Sequence, residues 1–188
     1  MMYFVSKIED LEKKYGKDES LSKKANVSIL AQKYLIENLR KQDIIVDYTI
    51  ARTNKGKPYF VNQNGLLFSI SHTTEYIAVC FDKTDIGIDI ECLRIGKREI
   101  SKRFFHEREN KYLNSLPEQE RDAAFTQLWT IKEAFVKMTG TGIADNFNNI
   151  DLSPKEFVLN QNYSKHNTQI ISQYLEKEAL FLSIVTKI

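Results

Sequence analysis

Two carboxylates stand in an otherwise apolar and β-branched run, IGIDIECLR, at residues 86–94. Side chains alternate between the two faces of a strand, so Asp89 and Glu91 point the same way, about 7 Å apart along the backbone. Asp85 has the same parity and could extend the row. Neighbouring carboxylates repel each other, and burying them is costly unless a positive charge lies between them. The run is therefore either an edge strand with one wet face or one wall of a cation site.

A second group of polar residues lies in the helical segment LWTIKEAFVK. Trp129, Glu133 and Lys137 are spaced i, i+4 and i+8, which places them near one helix face with Lys132 beside them. On an ordinary solvated helix, Glu133 and Lys137 would form an exposed ion pair worth about 0.3 kcal/mol. Beside a cation, the Glu133 carboxylate would instead add an oxygen ligand.

A third candidate is the Ser71–His72 pair that ends the run GLLFSISH. Adjacent strand residues point to opposite faces, so the two do not form a catalytic dyad by themselves. A hydroxyl, an imidazole and the free N–H groups of a turn are good partners for a phosphate. The alternative is a strand-end histidine bonded to a nearby backbone carbonyl.

The fourth candidate is the loop RTNKGKPYF, where Arg52, Lys55 and Lys57 surround Gly56 and Pro58. A glycine turn with several cations can bring backbone and positive charge close to a phosphate. Alone, the loop also fits a basic surface turn. The chain has no Walker A sequence, no GxGxxG segment after a strand, and no three His or Cys residues at zinc spacing.

Together these groups favour chemistry at a diphosphate. The hard carboxylate oxygens of Asp89, Glu91 and Glu133 suit Mg²⁺, which completes its shell with waters and substrate phosphates. Donor type alone does not separate Mg²⁺ from Mn²⁺. The residues that would balance the remaining phosphate charge are Lys132, Lys137, Arg52, Lys57 and His72.

Composition narrows the class of protein. The 188 residues are 42% hydrophobic, which supports a folded core, and the formal charge of +2 does not indicate a nucleic-acid binder. The apolar run in MMYFVSKIED is too short for a signal peptide, so none is expected, and no later run approaches the length of a membrane span. Cys80 and Cys92 lie in strand-like apolar context and are expected to be reduced core residues, so we expect a cytoplasmic protein.

The periodicity predicts a mixed α+β fold. A strand is expected at 2–8, a helix at 20–40 with Ser20 as its N-cap, and further strands at 43–50, 65–72, 76–82 and 86–91. Helical spacing follows from residue 99 through the segments EISKRFF and HERENKYLNSL, and a longer helix covers 118–138 before Gly140 and Gly142. Two more strands are predicted at 169–175 and 179–185. A seam near Thr84 would divide the chain into two comparable parts.

Five segments, in this order, resemble the 4′-phosphopantetheinyl transferase family of the single-chain Sfp type: RTNKGKP, FSISHTTEYIAV, GIDIE, FF with Glu107, and LWTIKEAFVKMTGTGI. The resemblance implies an α+β fold of two similar halves related by pseudo-twofold symmetry, here 1–83 and 84–188. The active site would lie at the interface between them.

The resemblance also implies the reaction. The phosphopantetheine arm of coenzyme A would pass to a serine of an apo acyl or peptidyl carrier protein, releasing 3′,5′-ADP. Asp89, Glu91 and Glu133 would hold Mg²⁺, and the catalytic residues would be Asp89, Glu133 and Lys137. Glu133, or a water on the metal, is the candidate base, and Lys137 would stabilise the departing phosphate. Contacts to the nucleotide and phosphates would come from Arg52, Gly56, Lys57, Pro58, Ser71, His72, Lys132 and Lys137.

Carrier docking is expected on the basic segment GKREISKRFFHERE. Carriers of this family are typically acidic, and a basic, partly apolar patch suits their docking and steering. The patch comprises Lys97, Arg98, Lys102, Arg103 and Arg108 beside Phe104 and Phe105, one of which is expected to face the core. No membrane and no nucleic acid are implied, and a chain with two halves is expected to act as a monomer.

Two alternatives and one departure remain. Metal-dependent nucleases also cluster acids and lysines, but commonly as ExK on one strand, whereas Glu91 is followed by Cys92 and Leu93. The other alternative is an inactive binder of coenzyme A or of a carrier protein. In the helix KANVSILAQKYL, Val27 stands where relatives often carry a basic residue, and Ser28 fits a familiar hydroxyl position. The 3′-phosphate would then be held by Lys24, Lys17 or Lys13.

Overall fold

The computed structural model describes residues 1–44, 47–62, 65–142 and 147–188, and of Arg98 only the backbone. The strands are β1 (Met2–Lys7), β2 (Ile50–Arg52), β3 (Pro58–Phe60), β4 (Leu67–His72), β5 (Tyr76–Asp82), β6 (Ile86–Cys92), β7 (Gln161–Lys165), β8 (Thr168–Leu175) and β9 (Leu180–Lys187). The helices are α1 (Ile8–Tyr15), α2 (Lys23–Lys41), α3 (Arg98–Phe104), α4 (Glu107–Ser115) and α5 (Glu118–Thr139). Within the described ranges, no helix is both long and apolar enough to cross a membrane.

The first part of the chain packs two helices on a small sheet. An antiparallel sheet in the order β1-β5-β4 carries α1 and α2 on one face, and β2 pairs with β3 in a separate hairpin. Helix α2 begins where Ser22 Oγ accepts a hydrogen bond from Ala25 N, and its apolar stripe includes the fully buried Leu35 and Leu39. Burying this stripe against β5 is what holds α2 in place.

The second part repeats the helix-on-sheet arrangement with a longer helix. Its antiparallel sheet has the order β6-β9-β8-β7, and α5 packs on β6 and β9. Helix α5 ends at Gly140, whose left-handed backbone (φ 69°) lets its N–H reach the carbonyl of Val136. Glycine adopts this conformation without the steric cost that a Cβ would bring.

A third core joins the two sheets. The face of β5 turned away from α2 presents Tyr76, Ala78 and Cys80 to the isoleucines of β6 and to β9. Beside this core, two side chains of β4 reach β6: the Oγ of Ser69 accepts from Ile88 N at 3.2 Å, and the Oγ of Ser71 accepts from Ile90 N at 3.4 Å. Serine hydroxyls therefore link strands that belong to different sheets.

The predicted α+β class is confirmed, with several local corrections. The N-cap of α2 is Ser22 and not Ser20, because Ser20 instead bonds the Asp18 carboxylate. Cys92 is exposed and not a core residue, although Cys80 is buried. The structure adds α1 and the strands β3 and β7, none of which was predicted; β3 lies within the segment RTNKGKPYF that was predicted as a loop. Of the strand predicted at 43–50, only Ile50 lies in a strand, and 45–46 lie outside the described residues.

Candidate functional site

A cavity of about 460 Å³ opens between the two parts of the chain. Helix α2, the β2–β3 turn and β4 form one side, and α5 forms the other. Residues singled out from the sequence line it, among them Arg52, Lys55, Gly56, Lys57, Pro58, His72, Glu133 and Lys137. Distant segments of sequence therefore do meet at one place.

The cavity wall is apolar in the middle and basic around it. Ile50, Phe68, Ile70 and Val136 provide apolar surface, while cations approach from α2, the turn and α5. Such a lining suits an amphipathic ligand with a flat apolar part and several anionic groups. A nucleotide with phosphates at both ends has this chemistry.

Asp89 is the most closely held of the acidic residues. Only 4% of its surface is exposed, and its Oδ1 accepts hydrogen bonds from Ser71 Oγ and Lys137 Nζ, both at 2.7 Å. Its Oδ2 is buried and has no hydrogen-bond partner among the described residues. A buried carboxylate oxygen without a donor is costly unless a cation binds it.

The other two carboxylates carry raised pKa values because of burial. Burial and the negative charge of Asp89 raise the pKa of Glu133 to about 7, against the pull of Lys137. Burial also raises the pKa of Glu91, although Arg94 donates a hydrogen bond to it. The guanidinium of Arg94 is itself held 4.7 Å above the ring of Trp129. Three carboxylates, Asp89, Glu91 and Glu133, therefore share this region with two cationic side chains, Lys137 and Arg94.

This cluster fits a divalent cation by its chemistry. The donors are hard oxygens, one of them unpartnered, and a bound cation would relieve the surplus charge. Among the described residues, no three Asp, Glu, His or Cys side chains are close enough to form a ready-made metal site. The grouping of Asp89, Glu91 and Glu133 as metal ligands therefore stays a prediction.

Two residues predicted to contact phosphate lie elsewhere, and the assignments are corrected. Lys132 is 1% exposed and points away from the cavity, where its Nζ donates to Glu109 at 2.9 Å and to the carbonyl of Ile150 at 2.9 Å. Helical geometry explains this, because successive residues are rotated by about 100° about the helix axis. Ser71 is 5% exposed, and its hydroxyl is used by Asp89.

The basic turn is fixed to the end of α5. The Nζ of Lys57 donates to the carbonyl of Met138 and lies 3.8 Å from Asp85, while Lys55 Nζ donates to the carbonyl of Thr141 at 3.2 Å. Burial lowers the pKa of Lys57. Arg52 closes its own turn by donating to the carbonyl of Gly56 at 2.9 Å. Lysines at a helix C-terminus interact favourably with the helix dipole, so the turn holds the two parts together.

The structure distinguishes between the three lysines that were considered as ligands of the 3′-phosphate. Lys24 and Ser28 of α2 line it, whereas Val27 is buried in the core. Lys13 and Lys17 instead form exposed ion pairs with nearby glutamates. His72 lines the cavity too, and its Nδ1 lies 3.2 Å from the carbonyl oxygen of Thr73.

Comparison with known proteins identifies the family. Residues 85–181, slightly more than half of the chain, match the model of the 4′-phosphopantetheinyl transferase superfamily. The chain belongs to this superfamily.

Curated relatives carry matching names. The 4′-phosphopantetheinyl transferase HetI of Nostoc sp. is 40% identical over 97 residues, covering 48% of this chain and 41% of the relative. The transferase Sfp of Bacillus subtilis is 32% identical over 117 residues, covering 62% and 49%. The L-aminoadipate-semialdehyde dehydrogenase-phosphopantetheinyl transferase of Saccharomyces cerevisiae is 34% identical over 113 residues, covering 54% and 41%. The matched part of the chain spans about half the length of these relatives.

Both phenylalanines of the predicted docking patch are packed, whereas only one of them was expected to face the core. Phe105 is 4% exposed and Phe104 packs edge-on against Trp129, so both contribute to the core. The exposed apolar residues are instead Leu93, at 47%, and Ile95, at 72%, which follow β6 directly. Their parity continues that of Glu91, and this was the signal that could have found them.

Proposed function

We propose that this chain is a 4′-phosphopantetheinyl transferase. It would move the phosphopantetheine arm of coenzyme A to a serine of an apo acyl or peptidyl carrier protein and release 3′,5′-ADP. The observation that carries the proposal is the Asp89–Lys137 pair at 2.7 Å, with Glu133 beside it on the wall of a cavity of about 460 Å³. Family membership and the names of the relatives support the same reaction.

Asp89, Glu91 and Glu133 would hold Mg²⁺, or Mn²⁺ in its place. The unpartnered Oδ2 of Asp89 and the charge surplus around Glu133 support this assignment. When bound, the ion would neutralise the diphosphate of coenzyme A and orient it for in-line attack.

The chain's own side chains would manage the charge of the transfer. A bond forms between the serine oxygen and the phosphorus of the phosphopantetheine phosphate, and the bond from that phosphorus to the bridging oxygen breaks. Lys137 would stabilise the negative charge left on the departing nucleotide phosphate. Glu133 would accept the serine proton, with a metal-bound water as the alternative acceptor. A Glu133→Gln enzyme with near-normal turnover and intact Mn²⁺ binding would remove Glu133 from this role.

The remainder of the cavity would hold the nucleotide. Arg52, Gly56, Lys57, Pro58 and His72 form the wall nearest the β2–β3 turn. Lys24 and Ser28 of α2 line the same cavity and would meet the 3′-phosphate, in preference to Lys13 and Lys17, which form exposed ion pairs. The apolar middle would receive the adenine.

The site would be complete within one chain. The proposed halves, 1–83 and 84–188, each contain an antiparallel sheet with one long helix, α2 or α5. This shared arrangement supports the proposed pseudo-twofold relation, and the cavity draws on both halves. A monomer therefore suffices, with the carrier docking near Lys97, Lys102 and Phe104. Arg98 belongs to the same prediction, but its side chain lies outside the described residues.

Intact-mass spectrometry of an apo carrier protein tests the reaction. The carrier is incubated with this chain, coenzyme A and Mg²⁺, beside an Asp89→Ala control. A mass gain of one phosphopantetheine arm with the wild-type chain alone supports the transferase and the need for Asp89. No gain with several carriers, while coenzyme A still binds, favours the inactive binder instead.

A further inference from the structure

The two oxygens of the Asp89 carboxylate have opposite environments. Oδ1 receives two donors at 2.7 Å, Ser71 Oγ from β4 and Lys137 Nζ from α5. Oδ2 receives none from the described residues, although it is buried. Donors placed on one oxygen only will fix the plane of the carboxylate and leave the other oxygen free for a cation.

Ser71 is well suited to hold this orientation. Its hydroxyl also accepts from Ile90 N at 3.4 Å, so the Oγ is held from two sides, and the residue is 5% exposed. It comes from the opposite sheet, whose edge lies beside β6, and not from the strand that carries Asp89. A buried hydroxyl already engaged with a carboxylate is a poor contact for a phosphate in the cavity.

We propose that Ser71 is a positioning residue, which holds Asp89 Oδ1 so that Oδ2 faces the divalent cation. The inference rests on the proposed function, because it presumes that Asp89 is a metal ligand. It replaces the phosphate contact that the sequence suggested for Ser71. Strand β4 of the first half thereby has a function in the site, because its Ser71 orients Asp89, a metal ligand that belongs to the second half.

The neighbouring Ser69 supplies a matched control. Its Oγ accepts from Ile88 N at 3.2 Å, in the same way that Ser71 accepts from Ile90 N, and it is 4% exposed. Replacing either serine by alanine removes one side-chain bond to the β6 backbone. Only the change at Ser71 also removes one of the two donors to Asp89, while Lys137 keeps the other. The difference between the variants therefore isolates the contact between Ser71 and the carboxylate.

The experiment titrates Mn²⁺ alone into the full chain and follows the loss of the free-ion signal by electron paramagnetic resonance. Ser71→Ala is expected to weaken Mn²⁺ binding about tenfold, in the range typical of residues that orient metal ligands. Ser69→Ala is expected to bind as the wild type does. Ser71→Thr, which keeps the hydroxyl, is expected to recover most of the affinity. Ser71→Cys, a weak donor of similar size, should resemble the alanine variant and covers the case in which alanine does not fold.

The outcomes separate this inference from the proposed function. Equal Mn²⁺ affinity in wild type and Ser71→Ala, tighter binding in Ser71→Ala, or equal losses at Ser69 and Ser71 would overturn it. So would a wild-type chain that does not bind Mn²⁺. If Mn²⁺ binding falls only at Ser71 while the wild type transfers no arm to any carrier, the positioning role stands and the transferase assignment fails.

Discussion

Gly87 lies directly against the backbone of α5. A Cβ atom at this position would stand 1.9 Å from the carbonyl oxygen of Ala134 and 2.5 Å from the nitrogen of Met138. Both atoms belong to the helix backbone, which cannot move aside as a flexible side chain can. The absent side chain of Gly87 therefore sets how closely α5 approaches β6. That approach places Lys137 within reach of Asp89.

Gly87→Ala is therefore expected to destabilise the fold strongly, by at least about 3 kcal/mol, because the added methyl group must push α5 off β6. Urea unfolding followed by circular dichroism measures the loss. Gly96→Ala is the control: its Cβ would meet nothing within 4 Å, so only the strain of its positive φ remains, about 1 kcal/mol. Equal losses in the two variants would mean that the helix accommodates the methyl group.

Asp89→Asn should separate stability from activity. The change removes a buried charge with one unpartnered oxygen, so the free energy of unfolding is expected to stay equal or to rise. Transfer to a carrier is expected to fall at least about 100-fold, because an amide is a poor ligand for a divalent cation. Thermal unfolding and carrier mass spectrometry on the same preparation test both halves of the prediction. A variant that is less stable and still active contradicts it.

The sequence predicted the strand and helix that carry the site well, because their signals are local. Alternation along β6 placed Asp89 and Glu91 on one face, and the helical spacing of Glu133 and Lys137 put both on the cavity wall. The order of the helical and alternating segments also indicated the α+β class correctly. These features follow from the periodicities of strand and helix alone.

The sequence failed where tertiary contacts decide. Lys132 neighbours Glu133 in sequence, yet the helix turns it into the core toward Glu109, a residue 23 positions earlier. Ser71 faces Asp89 only because two strands from different sheets lie side by side. Leu93 and Ile95 share the parity of Glu91, but they lie beyond the end of β6, so their exposure depends on which elements pack against that segment.

The corrected position of Lys132 gives a third prediction. Its ion pair with Glu109 is almost fully buried, and Glu109 also accepts hydrogen bonds from the backbone N–H groups of His106 and Leu152. Removing one partner leaves an unpaired buried charge, so Lys132→Met is expected to cost about 3–5 kcal/mol. The double variant Lys132→Met, Glu109→Gln should recover part of this loss.

Steady-state kinetics separate a structural role of Lys132 from a contact between Lys132 and a phosphate. At a temperature where Lys132→Met is folded, the KM for coenzyme A is expected to match the wild type. In Lys137→Met, the KM for coenzyme A should rise or kcat should fall, since Lys137 lines the cavity. A raised KM for coenzyme A in the Lys132 variant alone would restore the original assignment.

Charge reversal tests the carrier-docking surface. Lys102 is 73% exposed and lies on α3. Lys102→Glu is therefore expected to raise the KM for an acidic carrier several-fold and to leave the KM for coenzyme A unchanged. Lys13→Glu is the matched control, because Lys13 is 67% exposed and also pairs with a helical glutamate. Equal effects of the two variants, or equal effects on both substrates, would count against docking at this surface.

Glu37 contributes to the dependence of stability on pH in the acidic range. Hydrogen bonds from Lys14, Lys41 and Tyr15 lower the pKa of this carboxyl from 4.5 to about 2. Its folded pKa lies below its unfolded value, so its contribution is complete above about pH 5 and is lost as the pH falls toward 2. The contribution is expected to be about 1 kcal/mol, since partly exposed ion pairs are screened by solvent.

Glu37→Gln should therefore lower the free energy of unfolding at pH 7 and flatten its decline between pH 5 and pH 2.5. Urea unfolding at a series of pH values measures both effects, and added salt should shrink the difference between the proteins. Glu9→Gln serves as the control, since Glu9 is 72% exposed and forms an exposed ion pair with Lys13. Parallel pH curves for wild type and Glu37→Gln would show that the lysines and Tyr15 do not stabilise the ionised carboxylate in the folded protein.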